Sequence, residues 1–588
     1  METLTDFLTA RVGKAFAAEG LDPSLGVVRV SDRPDLAQFQ CNGALAAARQ
    51  AKKNPREIAE KIAAALADDD IFDTVSIAGP GFLNLALRDD FLAERTQDLG
   101  ANGRYGVWQA PDSEKIIIDY GGPNVAKPLH VGHLRSAIIG ESLKRLMREA
   151  GHEVWGDIHL GDWGLQMGQL ITQLEIEAPD LPYFDEGFTG PYPKQSPVTL
   201  EDLARLYPIA AEASKLDEAR KEAARKATAE LQAGRPGYRA LWQHFVRVSR
   251  IGLEREYRDL GVTFDLWKGE SDADPFIGKL AHLLEQRGLL IKSEGALVVP
   301  VAREGDKKEI PPLIMFTRDG AVLYGSTDLA TLMDRKQAID PDRVLYVVDQ
   351  RQNQHFEQVF RAAALAGIFE KQQLEHIGFG TMNGKDGKPF KTRQGGVLKL
   401  RDLIDMVRER AAERLKEGGM GQSLSEEERE QVAHQVGMAA LKFADLSNPR
   451  MTDYVFDLDR FLAFEGKTGP YVQYAAVRLK SVIAKAAEKG VREAGPILIT
   501  HKAERDLILT LLAFADAHKL AHDKRMPHIL CDHGFALAQA FSRFYAACRI
   551  ADEEDKAVQA SRLTLAQSTL GQLSVILSLL GIDIPDRM

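Results

Sequence analysis

Cysteine is nearly absent from this chain: Cys41, Cys531 and Cys548 are the three in 588 residues, too scattered for a disulfide framework or a zinc knuckle. Long apolar runs are missing too, since nothing approaches the ~18 consecutive apolar residues that span a bilayer, so no membrane partner is expected. The start, Met1 to Asp6, lacks both a basic patch and an apolar core. Together with the sparse thiols this points to a cytoplasmic location. A positive net charge is also lacking. The formal charge is −10, which argues at first against a nucleic-acid partner, because neutralising phosphates takes Lys and Arg. The deficit is uneven, however: Tyr471 to Met588 holds 15 Lys and Arg against 13 Asp and Glu, so a polyanion fits best in this C-terminal fifth. The length exceeds what one core organises, and three or four domains are expected.

One stretch organises the rest. Lys115-Ile116-Ile117-Ile118 reads as a strand buried on both faces, and Leu134 to Ala150 has helical periodicity through Leu134, Ile138, Leu143, Leu146 and Met147. Between them, Gly121, Gly122, Pro123 and Pro128 forbid regular structure, and Lys127, His130 and His133 fall just ahead of the helix. Free N–H groups and the dipole of a helix start favour an anion there, and a triphosphate suits the site. Gly132 removes a side chain that would keep a purine ring off the backbone. A lone His at this place would be a cap or a core residue. Two His, a Lys and a Gly at one strand-to-helix turn point to nucleotide chemistry.

Pro123 to Ser136, P-N-V-A-K-P-L-H-V-G-H-L-R-S, resembles the HIGH signature of class I aminoacyl-tRNA synthetases in its arginyl-tRNA synthetase form. Three further segments follow in that family's order. Tyr346 to Phe356, Y-V-V-D-Q-R-Q-N-Q-H-F, is similar to the stretch bordering the amino-acid pocket. Gly384 to Gly396 resembles the KMSKS loop, though Pro389-Phe390-Lys391-Thr392-Arg393 lacks the paired lysines. Phe464 to Tyr474 resembles the hinge that opens the helical anticodon-binding domain. The fold implied is α/β: a doubly wound parallel-sheet, Rossmann-like catalytic domain between an N-terminal α+β domain and a C-terminal all-α bundle. We place the N-terminal domain at 1–108, the catalytic domain at 109–400 with an insertion at about 177–262, a helical stem at 401–468 and the anticodon-binding domain at 469–588.

The resemblance also implies the site. His130, His133 and Lys127, with Lys391 and Arg393, would stabilise the transition state, and Gly132 and Lys388 would join the two histidines on ATP. In the family Lys127 supplies the charge that the missing lysine pair would have given. Asp119, Asn124, His159, Tyr324, Asp328 and Gln352 would bind arginine. Tyr324 and Asp328, four residues apart, share a face if Gly325 to Leu332 is helical, and a carboxylate there matches the fork of a guanidinium as an apolar pocket could not. That pair discriminates against a class I synthetase for another amino acid or a related nucleotidylyltransferase, and the intact turn speaks against a tRNA-binding relative without catalysis. Phe82 and Asn84 in G-P-G-F-L-N would touch the tRNA corner, and Arg543 and Tyr545 would hold anticodon bases by stacking. Expected partners are tRNA(Arg), L-arginine and ATP with Mg2+. Neither zinc, an organic cofactor nor a dedicated metal site is expected, and the chain should act as a monomer. The run from Leu200 to Gln232, rich in alternating Glu, Lys, Arg and Ala, reads as helical and as mostly a solvated surface of the insertion.

Overall fold

The computed structural model describes residues 2–33, 35–100, 103–317, 322–384, 386–388 and 398–588. The N-terminal unit is a four-stranded antiparallel sheet, Val28–Val30 (β1), Phe39–Cys41 (β2), Phe72–Ala78 (β3) and Phe82–Leu87 (β4), in the order β1-β2-β4-β3. Helices Leu4–Ala18 (α1), Gly43–Ala51 (α2) and Pro55–Leu66 (α3) cover it, and Asp89–Gln97 (α4) leads out.

The catalytic unit alternates strand and helix: Lys115–Tyr120 (β5), Val131–Glu149 (α5), Glu153–Leu160 (β6), Leu165–Glu177 (α6), Leu200–Leu216 (α7), Glu218–Gln232 (α8), Pro236–Asp259 (α9), Leu266–Gly269 (β7) and Glu270–Gln286 (α10). A small antiparallel sheet follows, Ile291–Ser293 (β8), Ala296–Val299 (β9) and Leu313–Phe316 (β10), for which the sequence carries no clear signal. Then come Tyr324–Ala338 (α11), Arg343–Val347 (β11), Asn353–Leu365 (α12) and Leu374–His376 (β12). The parallel strands run β12-β11-β5-β6-β7, so β5 lies at the centre, where the winding reverses. Ile116, Ile117 and Ile118 are fully buried, as a strand covered on both faces requires. The reversal opens a crevice beyond the carboxyl end of β5, the usual ligand position in such sheets.

A buried ion cluster ties the sheet to α11. Arg335 donates to Asp157 on β6 at 2.7 Å and to Asp119 on β5, and its other Nη meets the Tyr346 hydroxyl at 3.0 Å. Its side chain is 3% exposed, so the charges are desolvated and depend on each other.

Two short strands, Met382–Asn383 (β13) and Tyr454–Val455 (β14), pair in parallel and join the catalytic unit to the stem helices Leu400–Glu417 (α13), Glu426–Leu446 (α14) and Leu458–Phe461 (α15). The C-terminal bundle holds Gly469–Glu488 (α16), Lys502–Leu512 (α17), Phe514–Lys524 (α18), His528–Ala547 (α19) and Lys556–Leu579 (α20). It folds back on both other units. Arg505 pairs with Asp89 at 2.7 Å, Lys519 with Asp6 at 2.7 Å, and the Nε2 atoms of His152 and His522 lie 3.0 Å apart.

The charge-rich run Leu200 to Gln232 forms two helices, breaking at Asp217, whose carboxylate caps α8. Most of its charged positions face solvent, while Leu203, Leu206, Ala227 and Leu231 are buried beneath them.

Candidate active site

The turn from Gly121 to His130 crosses the carboxyl edge of the sheet. It is stitched to β6 by Asn124, which bridges to Gly161, with the Gly161 N–H donating to the Pro123 carbonyl at 3.0 Å and the Val125 N–H to the Gly161 carbonyl at 3.0 Å. A Cβ on Gly161 would stand 2.2 Å from the Asn124 carboxamide oxygen, so only glycine lets the loop lie this close.

His130 caps α5. Its Nδ1 accepts the Gly132 N–H at 3.0 Å, and the His133 Nδ1 accepts the His130 N–H at 3.2 Å. Both rings therefore carry their single proton on Nε2, and their centroids are 3.9 Å apart. Burial pushes the His133 pKa down to about 3, with the His130 and Lys127 charges adding; His130 is lowered by burial and by Lys127. At neutral pH the turn thus presents two uncharged N–H donors.

Two sequence expectations are corrected at this turn. The helix-start amides are already engaged, Val131 on the Leu398 carbonyl at 3.1 Å, Gly132 on His130 and His133 on the His130 carbonyl at 2.8 Å. The groups this turn offers to solvent are therefore imidazole edges and Lys127 instead of bare helix-start amides. Gly132 is required first by its neighbour: a Cβ would stand 2.7 Å from the His130 ring, before any purine arrives.

Lys399 bridges to His130, and the Leu400 N–H donates to the Leu129 carbonyl at 2.9 Å, so the chain leaving the second loop lands against the histidine turn. Before that loop, the Thr381 N–H is held by Asp453 at 2.6 Å. Lys388 is exposed, with its carbonyl accepting the Gly384 N–H at 2.8 Å, while Lys385, Lys391 and Arg393 lie outside the described residues.

Across the crevice, α10, α11 and α12 all begin at the same edge of the sheet. Asp328 is one turn into α11, and its carboxylate meets the His355 Nε2 at 2.5 Å, with both side chains partly buried. Asp328 holds the His355 pKa above its ordinary value, against the effect of burial. Tyr324 opens the same helix and is 72% exposed; partial desolvation and the charges of Glu270 and Asp328 raise its phenol, so its hydroxyl stays a donor. Gln352 is exposed in the short turn before α12. His159, on β6, has a buried Nδ1 without a hydrogen-bond partner among the described residues. It lines a cavity of about 290 Å³ together with Asp157, Lys268, Thr331 and Arg335. Asp119 gives one carboxylate oxygen to Arg335, leaving only the other for a ligand.

Two residues here escaped the sequence reading. Glu270 starts α10, and burial pushes its carboxyl up to about 7, with His159 opposing and Asp162 and Asp328 adding. The strand-to-helix step W-K-G-E-S was its only signal. His355 stood within the quoted Y-V-V-D-Q-R-Q-N-Q-H-F segment, but only the fold sets it on Asp328.

The remaining candidates lie elsewhere. Phe82 is half-buried on β4, whereas Asn84 is 3% exposed and accepts from the Gln40 Nε2 at 3.0 Å. The expected exposed reader at Asn84 is thus corrected to a buried carboxamide whose oxygen is occupied. Arg543 is exposed on α19. Tyr545 stacks on Phe541 at 5.9 Å and lies beneath two guanidinium groups, Arg549 at 4.8 Å and Arg478 at 5.5 Å.

A doubly wound sheet with paired imidazoles at the start of its first helix defines a class I aminoacyl-tRNA synthetase, and residues 96–458 match the family model for the class I (R) tRNA synthetase catalytic domain. Residues 2–87 match the arginyl tRNA synthetase N-terminal domain and 472–588 the DALR anticodon binding domain. The chain is 56% identical over 589 residues to an arginine–tRNA ligase of Maricaulis maris and 47% identical over 590 residues to one of Alkaliphilus oremlandii, each pair covered completely. It belongs to the arginyl-tRNA synthetase family. Two solved arginyl-tRNA synthetases share the fold over the full length of both chains, that of Plasmodium falciparum with a TM-score of 0.81 at 24% identity and that of Thermus thermophilus with 0.79 at 22%.

Proposed function

We propose that this chain activates L-arginine with ATP and transfers the arginyl group to the 3′ end of tRNA(Arg), and that His130, His133, Lys127, Asp328 and Glu270 carry the selectivity and the first step. The arginine carboxylate attacks the α-phosphorus, an O–P bond forms, and pyrophosphate leaves. A ribose hydroxyl of the tRNA then takes the arginyl group and AMP departs. The intermediate is the arginyl-adenylate, and the protein positions and stabilises charge without itself forming a covalent bond. The Nε2–H edges of His130 and His133 donate to phosphate oxygens, and Lys127 meets the charge growing on pyrophosphate.

The observation that supports arginine is the acidic pair at the starts of α10 and α11, Glu270 and Asp328, with the Tyr324 hydroxyl beside them. Asn124, His159, Gln352 and the free oxygen of Asp119 are left to orient the α-amino and carboxylate ends. Magnesium enters this reading as MgATP, its ligands supplied by phosphates and water. Among the described residues no cluster of three or more His, Cys, Asp or Glu is placed to hold an ion, and no helix is long and apolar enough to cross a membrane. We read the enzyme as a cytoplasmic monomer. Phe82 would contact the tRNA corner, and Arg543 with the Tyr545 cluster would contact the anticodon, where aromatic and guanidinium groups together suit a stacked base. Charging tRNA(Arg) with each of the twenty amino acids tests the reading: arginine alone should give product, and no arginyl-tRNA would refute it.

A pH dependence follows from Glu270. With its pKa about 7, the free protein is partly protonated there at neutral pH, whereas a bound guanidinium requires the carboxylate. The arginine KM should therefore rise as pH falls below about 7, by up to about tenfold per unit, and level off above about pH 8. Glu270→Gln should flatten that slope. A wild-type arginine KM constant from about pH 6 to about pH 8 would count against Glu270 as a ligand.

A further inference from the structure

The inserted helices reach into the nucleotide turn. On α9, the Ser249 hydroxyl accepts the Ala126 N–H at 3.0 Å, and the Tyr257 hydroxyl donates to the Gly121 carbonyl at 3.0 Å. Between these grips Ala126 sits at φ +65°, a left-handed conformation that a residue with a Cβ holds only when its surroundings impose it. The next side chain, Lys127, places its ammonium 4.7 Å from the centroid of the Tyr207 ring on α7. Tyr207 is half-buried and lies eighty positions along the chain.

We propose that Tyr207 is a positioning residue for Lys127: the face of its ring, carried by the insertion, holds the ammonium at the nucleotide turn. Lysine bears a compact charge on a long flexible stem, and in water that charge samples many positions. A carboxylate partner would fix it but would also cancel the charge the phosphates need. An aromatic face attracts the cation through its quadrupole and leaves the charge intact. The need is greater here than in a synthetase with paired lysines, because the 384–396 loop lacks that pair. Through Tyr207, Ser249 and Tyr257 the insertion thus presets both the backbone and the cation of the turn before substrate arrives.

The inference rests on reading Lys127 as the cation that meets pyrophosphate, and the experiment separates the two. Full-length variants are assayed by ATP–pyrophosphate exchange with tRNA(Arg) present. Tyr207→Leu should lower kcat roughly tenfold with the arginine KM unchanged, while Tyr207→Phe and Tyr207→Trp keep kcat within about twofold. Phenylalanine analogues of increasing fluorination at position 207, which drain the ring face without changing its shape, should lower kcat in order at constant Tm. That series decides the matter if the leucine variant misfolds. In a Lys127→Ala background, Tyr207→Leu should cost nothing more. The inference is overturned if Tyr207→Leu retains wild-type kcat, if fluorination has no effect, or if the loss persists without Lys127. Wild-type kcat in Lys127→Ala alone would instead sink the reading of Lys127 itself.

Discussion

Asp328→Ala raises the arginine KM about a hundredfold, a loss of about 3 kcal/mol for one charge-assisted pair in a partly dry pocket, with a smaller change in kcat. A guanidinium presents parallel N–H donors in a plane, and a carboxylate fixed in orientation meets two of them at once. Asp328 is fixed in this way, because the His355 Nε2 holds one of its oxygens at 2.5 Å. Beside Asp328 the His355 imidazole is more basic than alone. Asp328→Asn should fall between wild type and alanine, keeping one acceptor and losing the charge. An arginine KM unchanged in Asp328→Ala would show that the guanidinium binds elsewhere.

Arg335→Ala destabilises the catalytic unit by about 3–5 kcal/mol, the usual cost of leaving buried charge without its partner. The guanidinium serves two carboxylates on neighbouring central strands, and Asp157 and Arg335 are nearly inaccessible to water. Asp157 already carries a raised pKa, because burial outweighs the Arg335 charge that opposes it. Without Arg335, both carboxylates must protonate or draw in water. Urea denaturation followed by tryptophan fluorescence measures the effect, and Trp155 on β6 lines the same cavity. Combining Arg335→Met with Asp119→Asn and Asp157→Asn should restore much of the lost stability, since that removes the charge instead of stranding it. A shift below about 1 kcal/mol in Arg335→Ala would mean that solvent reaches the cluster.

What could be read from the sequence was whatever is local. Ile116 to Ile118 announced a doubly buried strand, and the HVGH turn and the helix after it are one continuous segment. The four-residue spacing of Tyr324 and Asp328 survives because α11 includes both. What escaped depends on distant partners. Glu270 is a single acid whose neighbours come from β6 and α11. Tyr207 sits in a run whose alternating charges read as a wet surface, and only the return of the insertion along α9 brings it to Lys127. Asn84 looked free to read a base because Gln40, its partner, lies on another strand. The sheet formed by β8, β9 and β10 was missed because its strands are three or four residues long, too short for a period of two to register.

On the proposed reading, neutral imidazoles and a lysine at one lip of the sheet activate ATP while an acidic pair at the other selects a guanidinium. Citrulline separates charge from shape, because it replaces the charged guanidinium by a neutral urea of nearly the same shape. In tRNA-dependent ATP–pyrophosphate exchange, arginine should exceed citrulline in kcat/KM by at least about a thousandfold, the discrimination expected when buried acceptors lose their charged donors. Equal rates with the two amino acids, or no exchange with arginine, would contradict it.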